Sequence, residues 1–316
     1  MYDSNSKGLS YSAGFFILIA FTIAANILAV VISIPIWTAM TGTGFEKMRE
    51  GMNNPTYGDA LRVIQVITAV VGFFLPSLLT AFLLNKKPMQ LLGYTGKPRL
   101  SQAGLVIGIM VAGLFVSTGL SYFNDHIPIS NDLRSTFERW ESDYNQGVES
   151  IIGLNNFGQY LLGLFIMAFL PALCEETLFR GGLQNFLTRS TKKPWLSILI
   201  VSILFSAVHL SYYGFLSRLF LGVVLGLLYQ YSGKIWLNIL GHFFNNALAI
   251  TVIYIYTLQG KPLKDVMKDD TGTYWGIILL PAVIALFVWF RQISKKEKEE
   301  LQEMIPAKNA AEDIFS

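Results

Sequence analysis

The segment Ala13–Met40 carries no ionisable side chain. A helix needs about 20 apolar residues to cross a hydrocarbon layer about 30 Å thick, and this stretch is longer than that. Seven more apolar stretches follow: Val63–Leu84, Ala103–Phe123, Phe157–Glu176, Trp195–Leu210, Leu219–Tyr231, Ile235–Tyr256 and Tyr274–Phe290. In lipid, every backbone amide must find a partner within the protein, which makes such runs helical. The expected fold class is therefore all-α: a polytopic membrane helix bundle with about eight transmembrane helices. The fifth and sixth stretches are short for a full crossing. The first is too long for a signal-peptide core of about 7–15 residues, and no small-residue cleavage pattern follows it, so it reads as a retained anchor.

Composition supports the same class. Apolar residues make up 53% of the chain and charged residues 14%, against roughly 25% charged in a typical soluble domain. This excludes a disordered chain and an ordinary soluble enzyme. A net charge of +3 is too small to suggest a nucleic-acid partner. The single cysteine, Cys174, excludes an internal disulfide framework and a cysteine-built zinc site; between apolar neighbours it reads as packing.

Lysine and arginine in short loops set orientation. Lys86, Lys87, Lys97 and Arg99 fall in one loop, Arg180, Arg189, Lys192 and Lys193 follow span four, Lys234 follows span six, and Arg291, Lys295, Lys296 and Lys298 open the tail. Every second loop is basic. The intervening loops are mixed or acidic, and Asn124–Asn156 carries Asp125, Asp132, Glu138, Glu141, Asp143 and Glu149 against Arg134 and Arg139. Eight spans with both termini in the cytoplasm fit this alternation, in the inner membrane if the source is bacterial. Within Asn124–Asn156, Leu133, Phe137, Trp140 and Tyr144 recur at helical spacing and predict an amphipathic helix on the outer surface or a cap helix. The tail Gln292–Met304 alternates Lys and Glu and predicts a solvated continuation of span eight. The chain divides into 1–156 (N-terminal spans and outer helix), 157–256 (a core rich in buried polar groups) and 257–316 (last span and tail).

Ionisable residues inside a bilayer cost several kcal/mol, so the few present are functional candidates. Glu175 and Glu176 end span four with Arg180 a turn beyond, His209 ends span five, and His242 lies in span seven. Asn238, His242, Asn245 and Asn246 make one polar stripe at helical spacing, and Phe205, Ser206 and His209 share a face. Glu175 and His209 are equally far from the turn near Lys192, about 25 Å from its tip, while His242 is about 12 Å from Lys234. These depths agree only if the hairpin of spans four and five extends beyond the start of span seven. The bland alternative is a structural polar network that ties three helices together. Chemically, a carboxylate can take a proton from water, a neighbouring imidazole can share it, and a second imidazole with a carboxamide can donate to a developing oxyanion. The same ligand types could also hold zinc with one carboxylate left as base.

Three motifs carry a resemblance. Glu175-Glu176-Thr-Leu-Phe-Arg180, Phe205-Ser-Ala-Val-His209 and His242-Phe-Phe-Asn-Asn246 resemble, in order, the EExxxR, FxxxH and HxxxN motifs of the CAAX prenyl endopeptidase and bacteriocin-processing (CPBP, or Abi) family of intramembrane proteases. The resemblance covers about residues 157–250. It implies an eight-helix endopeptidase with a site inside the membrane that opens toward the cytoplasm. It implies Glu175 as general base, His209 as its helper in activating water, and His242 and Asn246 as oxyanion donors. Glu176, Arg180, Phe205 and Asn245 are supporting members. Its substrate is a membrane-associated peptide, prenylated or leader-type. The metal-free form is preferred and no cofactor is required; a zinc form would use Glu175, His209 and His242 and would leave Asn246 without a task. No HExxH, GxGD or GxSG motif is present. A proton-coupled carrier would place such residues in two similar halves, whereas these cluster in the second half. A catalytically silent scaffold of the same fold is the remaining alternative. His126, in the outer loop, reads as a surface histidine.

Overall fold

A computed structural model describes residues 4–152, 154, 156–261 and 273–314. The described residues are 84% helical and contain no strand. Seven helices are long and apolar enough to cross a membrane: α1 (Tyr11–Thr41), α2 (Pro55–Leu84), α3 (Leu100–Asp125), α5 (Phe157–Thr191), α7 (Phe215–Ser232), α8 (Ile235–Leu258) and α9 (Tyr274–Glu300). Also present are α4 (Asn131–Ile151), the shorter apolar α6 (Pro194–Ala207) and two brief helical turns at Phe45–Gly51 and Pro88–Leu91. The all-α polytopic bundle expected from the apolar runs is the observed fold.

Local chemistry sets the ends. The Ser10 side chain accepts the Ala13 amide at the start of α1, and Gly42 closes it in the left-handed region at φ 69°. Gly233 does the same for α7 at φ 72°; without a Cβ, glycine meets no penalty there. The turn between α5 and α6 is tight: Lys192 sits at φ 60° and Pro194 starts α6. Pro76 and Pro171 lie inside apolar runs without breaking them. Each stands two residues after a widened π turn, Val70–Phe74 or Leu164–Phe169. A proline removes one backbone donor and crowds the preceding turn, and the wide turn accommodates both effects. The helices therefore continue through the prolines.

Three of the expected spans change in detail. The fifth is only Pro194–Ala207, 14 residues, which rise about 21 Å and stop short of a full crossing. The chain then runs through a non-helical turn in which Leu210 adopts φ 50°. The sixth begins at Phe215 and so takes Arg218 into its first turn. The fourth continues past Glu176 to Thr191, and Thr177–Phe186 are all buried. The extension is therefore packed against Leu18, Leu84, Leu91 and Leu92. The tail forms one helix over Leu280–Ile314, as the Lys/Glu alternation predicts.

The largest core cluster joins α3, α7, α8 and α9 through Leu105, Ile109, Val116, Leu225, Leu237, Val283 and Phe290. A second joins α1, α2 and α5 to α6 through Leu18, Leu84, Leu92, Phe186 and Phe205. Side chains such as Phe16, Ile23, Ile27, Leu199, Ile278 and Ile284 point outward and stay exposed, an apolar surface far larger than a soluble monomer tolerates. Close helix contacts fall where glycines stand. A Cβ on Gly222 would lie 2.9 Å from the Cβ of Ser202, and one on Gly226 would lie 2.9 Å from Ile198 Cγ2. Gly104, in the other small-xxx-small pattern, has nothing within 4 Å of that position and makes no such contact.

The basic end of the bundle is tied by a buried cation. Lys234 Nζ donates to Glu297 Oε1 at 2.6 Å, to the Lys97 carbonyl at 3.0 Å and to Gln102 Oε1 at 3.2 Å. This joins the α7–α8 turn to α3 and the tail. Glu297→Ala should destabilise the protein by about 2 kcal/mol or more, because it strands a buried charge. The pair replacement Lys234→Met with Glu297→Met should recover most of that loss. Thermal unfolding in detergent of the parent, single and double variants measures both.

Candidate active site

The three motifs converge where α5, α6, α7 and α8 meet. Glu176 and Arg180 lie one turn apart on α5, and Arg180 Nη1 donates to Glu176 Oε1 at 2.9 Å. His242 on α8 reaches the same oxygen, its Nδ1–H donating at 2.8 Å. Arg180 Nη2 donates to the Gly222 carbonyl on α7 at 3.1 Å. All three side chains are buried. Glu176 thus accepts from two helices, and its partner guanidinium reaches a third. This bond also brings together Glu176, about 22 Å from the Thr191 end of α5, and His242, about 12 Å from Lys234, so the α5–α6 hairpin extends beyond the start of α8 as the depths require.

Phe205, which opens the second motif, is the hub between the two imidazoles. Its ring meets His209 edge-on with centroids 5.1 Å apart and His242 at 5.8 Å. The Arg180 guanidinium lies 4.7 Å from the same ring, and Phe179 packs against it at 5.2 Å. A cation over an aromatic face is stabilised by the ring quadrupole, so Phe205 holds Arg180 and orients both histidines.

His209 is half-buried. Its Nδ1 lies 2.7 Å from the Phe205 carbonyl; a carbonyl only accepts, so Nδ1 carries the proton and Nε2 is left with a lone pair. The charges of Glu175 and Arg218 and the ring of His242 are within its electrostatic reach. Glu175 is also half-buried, and its Oε2 is enclosed without a hydrogen-bond partner among the described residues. No hydrogen bond joins Glu175 to His209 among those residues.

The polar stripe of α8 divides into three tasks. Asn238 is structural, its Nδ2 donating to the Leu225 carbonyl at 2.6 Å. His242 belongs to the Glu176 cluster. Asn245 faces a crevice lined by Met110, Gly113, Ser117, Phe220 and Val224, and its Nδ2 donates to Asn246 Oδ1 at 3.2 Å. Asn246 is thereby oriented from its own helix and makes no hydrogen bond to Glu175, His209 or His242 among the described residues. Cys174 is buried against Ala69 and Leu170, the packing role expected of it. His126 is exposed, with Nδ1 2.7 Å from the Tyr122 carbonyl.

Two participants were not marked by the motifs. Tyr94, in the loop before α3, hydrogen-bonds Thr177 of the first motif at 2.6 Å. Burial pushes its phenol up to about 12, so it stays a neutral donor at neutral pH. Arg218 lies one turn before Gly222 on α7, toward His209. The signal for it was a lone arginine in the short loop between the fifth and sixth apolar stretches.

The geometry also tests a three-ligand zinc site. Among the described residues no three His, Cys, Asp or Glu side chains stand close enough to hold one ion. His242 Nδ1 is held by Glu176, so Nε2 is the atom of that ring left for a ligand.

Residues 157–248 match the family described as Rce1-like, type II CAAX prenyl endopeptidase Rce1-like. The match contains all three motifs and agrees with the resemblance drawn from them. It supports intramembrane endopeptidase activity in general, and with the long apolar helices it makes this an integral, multi-pass membrane protein. No curated protein and no solved structure matches the chain.

Arg180→Ala should cost about 3–5 kcal/mol by leaving Glu176 buried with one cation fewer. Tyr94→Phe should cost about 1 kcal/mol, the worth of one neutral hydrogen bond. Unfolding temperatures of the two variants check the ranking.

Proposed function

We propose that the protein is an endopeptidase that hydrolyses a membrane-associated peptide, prenylated or leader-type, with water activated by Glu175 and His209. The observation that carries this reading is the division of labour between the paired acids. Glu176 is buried with its Oε1 held by Arg180 and His242, while Glu175 makes no ion pair among the described residues and is half-exposed. A free carboxylate beside an imidazole with an available Nε2 is what proton abstraction from water requires.

In this reading water attacks the peptide carbonyl as its proton passes to Glu175. The developing oxyanion is met by His242 Nε2–H and by the Asn246 carboxamide. His242 donates through Nδ1 to Glu176, so it can also donate through Nε2 only as the imidazolium. The collapsing tetrahedral intermediate releases the amine, which takes the proton from Glu175 with His209 assisting. No metal step enters this scheme. Zinc bound by Glu175, His209 and His242 would take His242 through Nε2, the atom that this scheme gives to the oxyanion.

The basic loops place Lys97, Lys192 and Lys234 in the cytoplasm together with both termini. The half-exposed members of the site, Glu175, His209 and Asn246, lie toward the other end of the bundle. There the Tyr212 carbonyl bonds Asn124 at the end of α3 and Phe137 of α4 stacks on Tyr212 at 4.3 Å. Toward the basic end the site is closed by buried Leu92, Leu183 and Tyr229. On this orientation the peptide arrives from the side of α4, in place of the cytoplasmic opening that the family resemblance implies.

Glu175→Gln and His209→Ala should each slow cleavage of a lipidated reporter peptide by roughly 100-fold or more with unchanged unfolding temperature; a parent-like rate in Glu175→Gln would sink the mechanism. Stoichiometric zinc in active protein, with activity lost on its removal, would replace the metal-free scheme. In a Cys174→Ala background, an impermeant maleimide applied to spheroplasts should label Asp143→Cys and leave Lys97→Cys unlabelled; the reverse pattern would invert the orientation.

A further inference from the structure

Two arginines stand within one turn of each other along α7, Arg180 of α5 at Gly222 and Arg218 at Gly214, and their surroundings differ. Arg180 has a carboxylate on Nη1, a carbonyl on Nη2 and an aromatic ring beneath it. Arg218, one turn along α7 toward the open edge, has none of these polar partners. Its Nη1 is enclosed and bonds nothing among the described residues, and it makes no ion pair among them. Its one strong contact is the Tyr144 ring of α4, 5.1 Å from the guanidinium. The position is built for it: Nη1 lies over Gly214, where any Cβ would collide with it. Ser211, whose hydroxyl stands next to this spot, is itself spent on Glu141 at 2.7 Å. Buried donors in native proteins are nearly always paired, and an unpaired charge near the membrane interior is costly. A permanent cation held by aromatic stacking and left without an anion is a binding group waiting for one.

We propose that Arg218 is a specificity-determining residue that binds a carboxylate of the peptide substrate beside the scissile bond. This rests on the endopeptidase reading of the Glu175–His209 site and names the chemistry of its substrate. Arg218 stands one turn before Gly222, whose carbonyl accepts from Arg180, and folds back over Gly214, five residues after His209, so a carboxylate held there keeps the neighbouring peptide bond close to the site. The planar guanidinium matches a carboxylate in two-point geometry. The carboxylate has two sources, the free C-terminus of the peptide or an acidic side chain near the cleaved bond.

The test is binding of fluorescein-labelled apolar nonapeptides to full-length protein in detergent micelles, in a Glu175→Gln background so that no peptide is consumed. The three forms are a free C-terminal acid, the C-terminal amide, and the amide with glutamate at the penultimate position. The proposal expects at least one carboxylate form to bind roughly tenfold or more tighter than the plain amide. Arg218→Gln should abolish the preference and Arg218→Lys should keep part of it. A gain confined to the free acid identifies the terminus as the source; a gain confined to the glutamate peptide identifies the side chain. The preference is a ratio within each variant, so partial loss of folded protein leaves it unchanged. Equal binding of all three peptides overturns the proposal, as does a preference that survives in Arg218→Gln. Cleavage by protein with Glu175 intact is scored separately. A carboxylate preference without any cleavage sinks the endopeptidase reading and leaves the anion site standing.

Discussion

A single buried carboxylate oxygen fixes the relation of three helices. Glu176 Oε1 accepts from Arg180 on its own helix and from His242 on α8, while Arg180 reaches on to the Gly222 carbonyl of α7. Hydrophobic burial does not discriminate strongly among helix arrangements inside a bilayer, since lipid tails are as apolar as leucine. Polar groups do discriminate, because each must meet its partner in one place. The helices are then free to pack closely through Gly222 and Gly226, and the contacts at Phe205 follow from where Arg180 is held.

The outcome for the site is an asymmetry between adjacent residues of the same type. Glu175 and Glu176 differ by about 100° around α5, so one faces the α7–α8 junction and the other faces His209. Neighbouring carboxylates on a helix do not share a partner face, so a buried, paired acid and a half-exposed one stand side by side in the sequence. The widened turn over Thr177–Gln184 begins directly after the pair. Irregular turns of this kind recur beside functional groups.

Much of this was legible in the sequence because lipid makes polar residues conspicuous. The spans, the hairpin about Lys192 and the approach of the carboxylate pair to His242 could all be read from spacing and apolar context. What could not be read were contacts between distant segments and deviations from ideal helix lengths. The pairing of His242 with Glu176 rather than Glu175 depends on the rotation of α8. The separate tasks of Asn238, Asn245 and Asn246 depend on which neighbour each meets around a stripe wider than one contact. Arg218 escaped because the apolar run appeared to start at Leu219, whereas the helix starts at Phe215. Gly104 lies in the same pattern as Gly222 but faces open space, since pattern alone carries no partner.

The shortness of α6 has a consequence for the membrane itself. Its 14 residues rise about 21 Å beside a film about 30 Å thick, and Leu199, Ile203, Leu204, Val208 and Leu210 remain exposed along it. Lipids against that flank can match it only by drawing their headgroups inward, a deformation that costs fractions of a kcal/mol per ångström of mismatch. The dimple lies beside His209, in the turn that follows α6. Water thus comes nearer to Glu175 from that side than the thickness of an undisturbed bilayer would allow.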